Sequence, residues 1–182
     1  HVGMMNAIFA GIDQATSEFI ITLEADVPVT IEEIFKLITK YNKIDYDILV
    51  GSRYKMYKPR NVPFVRKIVS KSFLFLYNVF YKVEVSDPQI GFKIIRKNKY
   101  KLISNEINIS YDGLKSTQLI LLFYMYGFKI LDVPVKYTYV PDSKNFNIRN
   151  FVRAIIINLL AFADLYMKTK KGLSNLELKS PF

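Results

Sequence analysis

Cysteine is absent from this 182-residue chain, and histidine occurs once, at His1. The first absence excludes disulfides, thiolate metal sites and cysteine nucleophiles. The second leaves no basis for a histidine-centred triad or a multi-histidine zinc site. Long apolar runs are also lacking: the longest, Ala154 to Ala163, is interrupted by Asn158 and bounded by Arg153 and Asp164. A helix needs ~20 apolar residues to span a bilayer, and this run falls short. Acidic side chains are outnumbered, 16 against 26 basic ones, for a formal net charge of +10. That surplus brings nucleic acid, anionic lipid and phosphorylated substrates into consideration, and its sign alone does not choose among them. No internal repeat and no low-complexity segment is present.

What the chain does have is apolar content, 51% of its residues, enough to bury a substantial core in one domain. Helical periodicity opens it, from Val2 to Ala15. An apolar strand follows over Phe19 to Leu23, and a second helix runs from Ile31 to about Tyr41. Asp47-Ile48-Leu49-Val50 reads as another strand, stopped by Gly51-Ser52-Arg53. Such alternation is the signature of βαβ units on a parallel sheet. A basic, turn-rich loop from Tyr54 to Pro63 precedes a long helix, Phe64 to about Tyr81, with Phe73, Leu74, Leu76 and Tyr77 on its buried side. Phe92 to Ile95 alternates as a strand. A helix from Asp112 to Tyr126 is closed by Gly127, and Phe128 to Leu131 begins a strand that continues past Pro134 towards Tyr139.

The segment Phe19-Ile20-Ile21-Thr22-Leu23-Glu24-Ala25-Asp26 ends a strand in two carboxylates spaced one apart. Residues i and i+2 of a strand share a side, so Glu24 and Asp26 can point together into the crevice beyond its carboxyl end, where open α/β sheets bind ligands. Hard oxygen donors so placed suit Mg²⁺ or Mn²⁺ gripping a diphosphate. Taken alone, such a pair is more often a solvated loop or the partner of a helix dipole, and Thr30 with Glu33 already forms a capping box for the next helix.

Further clusters stand where a sheet enzyme keeps its site. Ser86-Asp87-Pro88-Gln89-Ile90-Gly91-Phe92-Lys93 sets a carboxylate and an amide before a glycine and a strand. Asp87 there can orient an acceptor or help hold a donor sugar, or simply make an Asx turn before Pro88. Arg53 and Arg66 offer guanidinium forks that match phosphate oxygens. Ser143-Lys144 adds a hydroxyl and an ammonium. The last helical stretch, Ile148 to about Met167, carries Arg149 and Arg153 at its start, apolar residues beyond, and Lys168, Lys170 and Lys171 after it. Docking on the domain's own sheet and lying in an anionic membrane interface both fit such a helix, and the flanking lysines favour the interface.

The ordered succession A-x-x-x-G-I-x-x-A-T, a strand ending in an acidic pair, a T-x-x-E helix start, I-L-V-G-S-R-Y, R-x-x-x-S, D-P-Q-I-G-F-K, G-F-K-I-x-D-V-P-V and S-K resembles family-2 glycosyltransferases. Within them it is most similar to the polyprenyl-phosphate glycosyltransferases of the dolichol-phosphate mannosyltransferase type. The likeness runs from Gly3 to about Asn147. It implies an α/β, GT-A-like (Rossmann-like), mostly parallel sheet flanked by helices over residues 1–147, followed by a C-terminal amphipathic, membrane-interfacial helix and tail over 148–182. With His1 at its start, the chain is expected to lack the family's first strand and the acidic residue for the nucleotide base.

By resemblance, Glu24 and Asp26 match the D-x-D metal motif, Asp26 meeting the divalent ion and the donor diphosphate. Asp87 and Gln89 match the segment near the donor sugar and acceptor phosphate. Arg53, Arg66, Ser143 and Lys144 match the phosphate-binding set. The implied activity is transfer of a sugar from a nucleotide-sugar donor, GDP-mannose or a UDP-sugar, to polyprenyl (dolichyl) phosphate. The implied setting is peripheral, on the cytoplasmic face of the cell membrane at an anionic surface, with transmembrane helices possible in a full-length protein and no nucleic-acid partner. A saccharide acceptor in polysaccharide synthesis and a non-catalytic binding homologue are the alternatives. Departures from the family pattern are Pro28 in place of a glutamine, Gly3-Met4-Met5 in place of G-K-G, Val140 in place of an arginine, and Gln118 in place of an acidic residue.

Overall fold

The computed structural model describes residues 3–25, 29–55, 64–137, 156, 159–160 and 162–168, with the backbone path alone over 64–70. Five helices and four strands make up most of it: α1 (Met4–Gln14), β1 (Phe19–Thr22), α2 (Ile31–Tyr41), β2 (Ile48–Ser52), α3 (Phe64–Tyr81), β3 (Lys93–Arg96), α4 (Lys97–Ile103), α5 (Lys115–Met125) and β4 (Ile130–Pro134). Short 3₁₀ turns at Ser104–Glu106 and Asp112–Leu114 lead into the region of α5.

The strands form one mixed sheet in the order β1-β3-β2-β4. β3 runs antiparallel to both β1 and β2, whereas β2 and β4 are parallel. β1, β2 and β4 therefore point the same way, as a mostly parallel sheet requires, and β3 is the single reversed strand. The alternation of strand and helix points to βαβ units on a parallel sheet; β1 and β2 are indeed parallel, and the reversed strand β3 lies between them. The consequence is positional: the entry to β3 meets the exits of its neighbours, with Lys93 opposite both Thr22 and Val50.

Every residue of β2 is buried, so both sheet faces are covered at that strand. Ile48, Leu49, Val50, Ile90, Phe92, Ile95, Leu119 and Phe123 belong to one continuous core. Burial of each such side chain contributes roughly 1.5–3 kcal/mol before conformational entropy is counted. α1 and α5 share a face of the sheet, since Met5, Ile8 and Ile12 line a small cavity with Thr22, Lys93, Ile95 and Leu119.

Local chemistry explains the element ends. Gly3 opens α1 with φ 89°, and the Met5 amide donates to Asp112 Oδ2 at 3.0 Å, so a distant carboxylate caps the helix. At α2 the Glu33 amide donates to Thr30 Oγ1 at 3.4 Å. The reciprocal half of the capping box is replaced, because Glu33 Oε1 accepts from the Lys136 amide at 3.1 Å. α5 closes in a Schellman motif: Gly127 has φ 68°, its amide donates to Tyr124 O, and the Phe128 amide donates to Phe123 O, both at 3.0 Å. Phe128 is thereby spent on the cap, which is why β4 begins at Ile130 rather than at Phe128.

Along α3, Phe73 and Tyr77 are buried, and Leu74 and Leu76 are half-buried. The helical segment 162–168 packs on this helix. Phe162 sits 6.1 Å from Phe73, 5.6 Å from Phe80 and 5.9 Å from Tyr81, ring centre to ring centre. Asp164 Oδ2 accepts from the Ser110 amide at 3.1 Å, and Lys168 Nζ donates to Asn108 O at 2.7 Å. This part of the C-terminal helix is docked on the domain, while Ile156, Leu159 and Leu160 are exposed.

Candidate functional site at the sheet edge

Because β3 is reversed, four chain segments converge at one edge: the exits of β1 (Glu24), β2 (Ser52 and Arg53) and β4 (Val135 to Tyr137), and the 87–91 turn that enters β3. Asp87 is 2% exposed, and Arg53 grips it as a fork. Arg53 Nε donates to Oδ2 at 2.6 Å and Nη2 to Oδ1 at 2.8 Å, while the Arg53 amide donates to Oδ2 at 3.2 Å. Bidentate pairing of this kind is among the stronger charge-assisted contacts. Burial opposes the Arg53 charge, but the Asp87 hydrogen bonds and negative charge outweigh it and hold the guanidinium above its ordinary range. The Arg53 guanidinium also lies over the Tyr137 ring at 5.2 Å and the Tyr54 ring at 5.7 Å.

Glu24 occupies the facing side. Its Oε2 accepts from the Tyr137 hydroxyl at 2.8 Å. No cation is in contact with Glu24 among the described residues, and the charge that acts on it through space is the buried ammonium of Lys93. Gly91 makes this position possible: a Cβ on Gly91 would stand 2.3 Å from Glu24 Cγ and 2.8 Å from Glu24 Cδ. The Gly91 carbonyl in turn accepts from Thr22 Oγ1 at 2.7 Å, tying the turn to β1.

Beneath the turn lies Lys93, 2% exposed. Its ammonium donates to Ile90 O and, at 2.7 Å, to Ser116 Oγ; the Ser116 hydroxyl passes the link on to Pro88 O at 3.0 Å. Burial pushes the Lys93 pKa down to about 8; Asp87 and Glu24 pull it up, and Arg53 pushes it further down. A second polar network holds the other flank. Asp132 Oδ2 accepts from the Ser86 amide and Ser86 Oγ, both at 2.8 Å, Ser86 Oγ accepts from the Ser52 hydroxyl at 2.7 Å, and Lys55 Nζ stands 3.1 Å from Asp132 Oδ2.

Of the site residues expected from sequence, Glu24, Arg53, Asp87 and Gln89 are brought to this edge, Gln89 exposed on the turn. The fork expected on phosphate is, in this structure, on Asp87. Asp26, Ser143 and Lys144 lie outside the described residues, as do Pro28 and Val140, and only the backbone of Arg66 is described, within α3. Gln118 is buried, its Oε1 accepting from the Asn108 and Ile109 amides at 3.1 and 3.0 Å and its Nε2 donating to Glu106 O and Asn108 Oδ1. An amide suits that double role, which a carboxylate cannot fill because it only accepts. Sequence reasoning passed over Lys93, Asp132 and Tyr137. The first two carried a signal, a charge inside the strand-like runs F-K-I-I and L-D-V-P-V; Tyr137 carried none.

A divalent cation is compatible with what is seen. Glu24 supplies hard oxygens and has no cation in contact with it among the described residues, and the missing side chain of Gly91 leaves the space that Glu24 occupies. Among the described residues no group of three His, Cys, Asp or Glu side chains stands ready to hold a metal, so a site built on Glu24 needs further ligands from outside them.

Comparison with known proteins bears on the whole arrangement. The sequence pattern of Glycosyl transferase family 2 matches residues 1–103. A dolichol-phosphate mannosyltransferase of Pyrococcus furiosus is 31% identical over 135 residues, covering 72% of this chain and 37% of that protein. Glycosyltransferase AglD of Haloferax volcanii is 19% identical over 143 residues, covering 79% of this chain and 23% of its own length. This chain thus spans 37% and 23% of the length of those relatives. Among solved structures, glucosyl-3-phosphoglycerate synthase from Mycobacterium tuberculosis, in complex with UDP, superposes with a TM-score of 0.60 at 12% identity, over 93% of this chain and 56% of that one. That likeness speaks to the fold, which is GT-A.

Proposed function

The chain belongs to glycosyltransferase family 2, and from that premise we propose that the protein it represents transfers a sugar from a nucleotide-diphosphate donor to polyprenyl phosphate at a membrane surface. The observation that carries this reading is the convergence of Glu24, Arg53 and Asp87 at one sheet edge. The name of one relative, dolichol-phosphate mannosyltransferase, supports a lipid-phosphate acceptor; the donor in this reading is GDP-mannose or a UDP-sugar.

Glu24 and Asp26 would hold Mg²⁺ or Mn²⁺, which when bound neutralises charge on the leaving diphosphate. The rest falls to side chains of this chain. Arg53 and Asp87 form a preorganised unit in which Asp87 orients the guanidinium, and a phosphate arriving at Arg53 meets donors already held in place. Acceptor phosphate is an anion before it binds, so it needs little help from a base, and Asp87 serves to position rather than deprotonate. Arg66, Ser143 and Lys144 complete the phosphate-binding set, and Gln89 on the exposed turn faces the sugar.

Exposed apolar side chains support attachment to a membrane surface. On α3, Phe75 and Val79 are exposed, and Ile156, Leu159 and Leu160 present another i, i+3, i+4 set. No helix among the described residues is long and apolar enough to cross a membrane. With a net charge of +10, the peripheral contact is with anionic lipid. Sedimentation with anionic vesicles is expected to pull the protein down, and Leu160→Glu to release it; recovery in the supernatant without any substitution contradicts the contact. For the chemistry, Asp26→Asn in the full-length protein is expected to abolish metal-dependent transfer, and unchanged transfer in that variant refutes the assignment.

A further inference from the structure

Lys93 is a cation with almost no access to water, whereas no other lysine among the residues with described side chains is buried. Such burial is costly unless the charge is paired and its hydrogen-bonding capacity is met. Two of its three N–H donors are engaged, both by neutral oxygens: the Ile90 carbonyl and Ser116 Oγ. No carboxylate is in contact with it. The negative charges that act on it, Asp87 and Glu24, do so through space, and Arg53 opposes them. The two backbone carbonyls reached by Lys93 and Ser116, those of Ile90 and Pro88, both belong to the turn that carries Asp87, Gln89 and Gly91.

We propose that Lys93 is a positioning residue of the transfer site: its ammonium clamps the 87–91 turn from below through Ile90 and Ser116, and its fixed charge sets the field at Glu24. This rests on the transferase reading above. Two consequences separate it from a merely structural role. Geometry makes the turn's shape, and so turnover, depend on the clamp. Electrostatics makes a cation near Glu24 feel Lys93 as repulsion, so removing the charge strengthens metal binding even as transfer fails.

The test uses the full chain and three proteins: unmodified, Lys93→Met and Ser116→Ala. Methionine fills much of the lysine stem while removing a buried charge, so the fold is expected to survive, which circular dichroism and thermal melting check. Mn²⁺ binding is measured without donor, from the paramagnetic resonance signal of the free ion, and turnover is measured separately at saturating nucleotide-sugar. Lys93→Met is expected to bind Mn²⁺ at least threefold more tightly and to lose at least tenfold in kcat. Ser116→Ala, which keeps the charge and loses the link to Pro88, is expected to hold its Mn²⁺ affinity within twofold and to lose at least threefold in kcat. Equal or weaker Mn²⁺ binding by Lys93→Met overturns the proposal, as does full turnover by Ser116→Ala. If Lys93→Met does not fold, turnover of Ser116→Ala decides. An unmodified chain that takes up no Mn²⁺ overturns the electrostatic half. One that binds Mn²⁺ but transfers no sugar from any donor refutes the transferase reading instead, and the Mn²⁺ comparison still decides the role of Lys93.

Discussion

Replacing Gly91 by alanine adds one methyl group where the 87–91 turn packs against Glu24, just beyond β1. Gly91 is not among the glycines with positive φ, so alanine can take its backbone conformation and the effect is steric. The new carbon would lie 2.3 Å from Glu24 Cγ and 2.8 Å from Cδ. Carbons in contact sit about 3.5–4.0 Å apart, so Glu24 has to retreat by more than ~1 Å. Overpacking of that kind costs ~1–3 kcal/mol. The bond from the Tyr137 hydroxyl to Glu24 is lost in the retreat, which adds about 1 kcal/mol or more. For a domain of this size, ~1 kcal/mol corresponds to roughly 2–4 °C in Tm, so Gly91→Ala, at a cost of ~2–4 kcal/mol, is expected to melt ~4–16 °C below the parent. The decisive assay is a double-mutant cycle with Glu24→Ala, which removes the atoms the methyl would strike. In that background the cost of Gly91→Ala is expected to shrink below ~0.5 kcal/mol. The same penalty in both backgrounds, or none in either, refutes the packing of Gly91 on Glu24.

Asp87→Asn keeps the shape but strands the Arg53 guanidinium and the Lys93 ammonium without a buried carboxylate. Removing one partner of a buried pair costs ~3–5 kcal/mol; Arg53 keeps 23% of its side chain exposed, which lowers the expected loss to ~2–3 kcal/mol by denaturant titration. Gln118→Leu leaves the Asn108 and Ile109 amides without their acceptor; a loss of ~2–4 kcal/mol is expected, with no change in nucleotide affinity. Lys93 makes stability depend on alkaline pH. Its pKa falls from 10.5 unfolded to about 8 folded, so between those values the unfolded chain binds more protons and stability rises with pH; below pH 8 the full penalty of the buried charge is present. Tyr100 and Tyr126, both raised to about 12, oppose this above pH 10. A gain of ~1–2 kcal/mol between pH 8 and about pH 9.5 is therefore expected, absent in Lys93→Met; a flat profile in the parent contradicts it.

How much of this could be read in the sequence depended on whether a feature was local. Apolar periodicity and end signals located most helices and strands, because Thr30 and Gly127 act on their own neighbours. Strand order was not legible: nothing in Phe92 to Ile95 announces that it runs against β1 and inserts between β1 and β2, a choice made by long-range pairing. α4 was missed because Lys97-Asn98-Lys99-Tyr100-Lys101 has little apolar periodicity of its own and is anchored by Tyr100 and Ile103 alone. At the site, the family pattern identified Glu24, Arg53 and Asp87 as residues of interest. It did not reveal that Arg53 and Asp87, 34 positions apart, are partners of each other, or that Gln118 satisfies a turn rather than a ligand. Those are properties of two segments meeting, and one-dimensional spacing does not encode them.

The central claim is tested most directly by incubating the full-length protein with radiolabelled GDP-mannose or UDP-sugars, a short polyprenyl phosphate and Mn²⁺, and following label into the organic phase. Transfer that requires the lipid phosphate, stops with chelator and is lost in Asp26→Asn is the expected result. Label that stays aqueous with every donor, or that passes to a saccharide and not to the lipid phosphate, contradicts it.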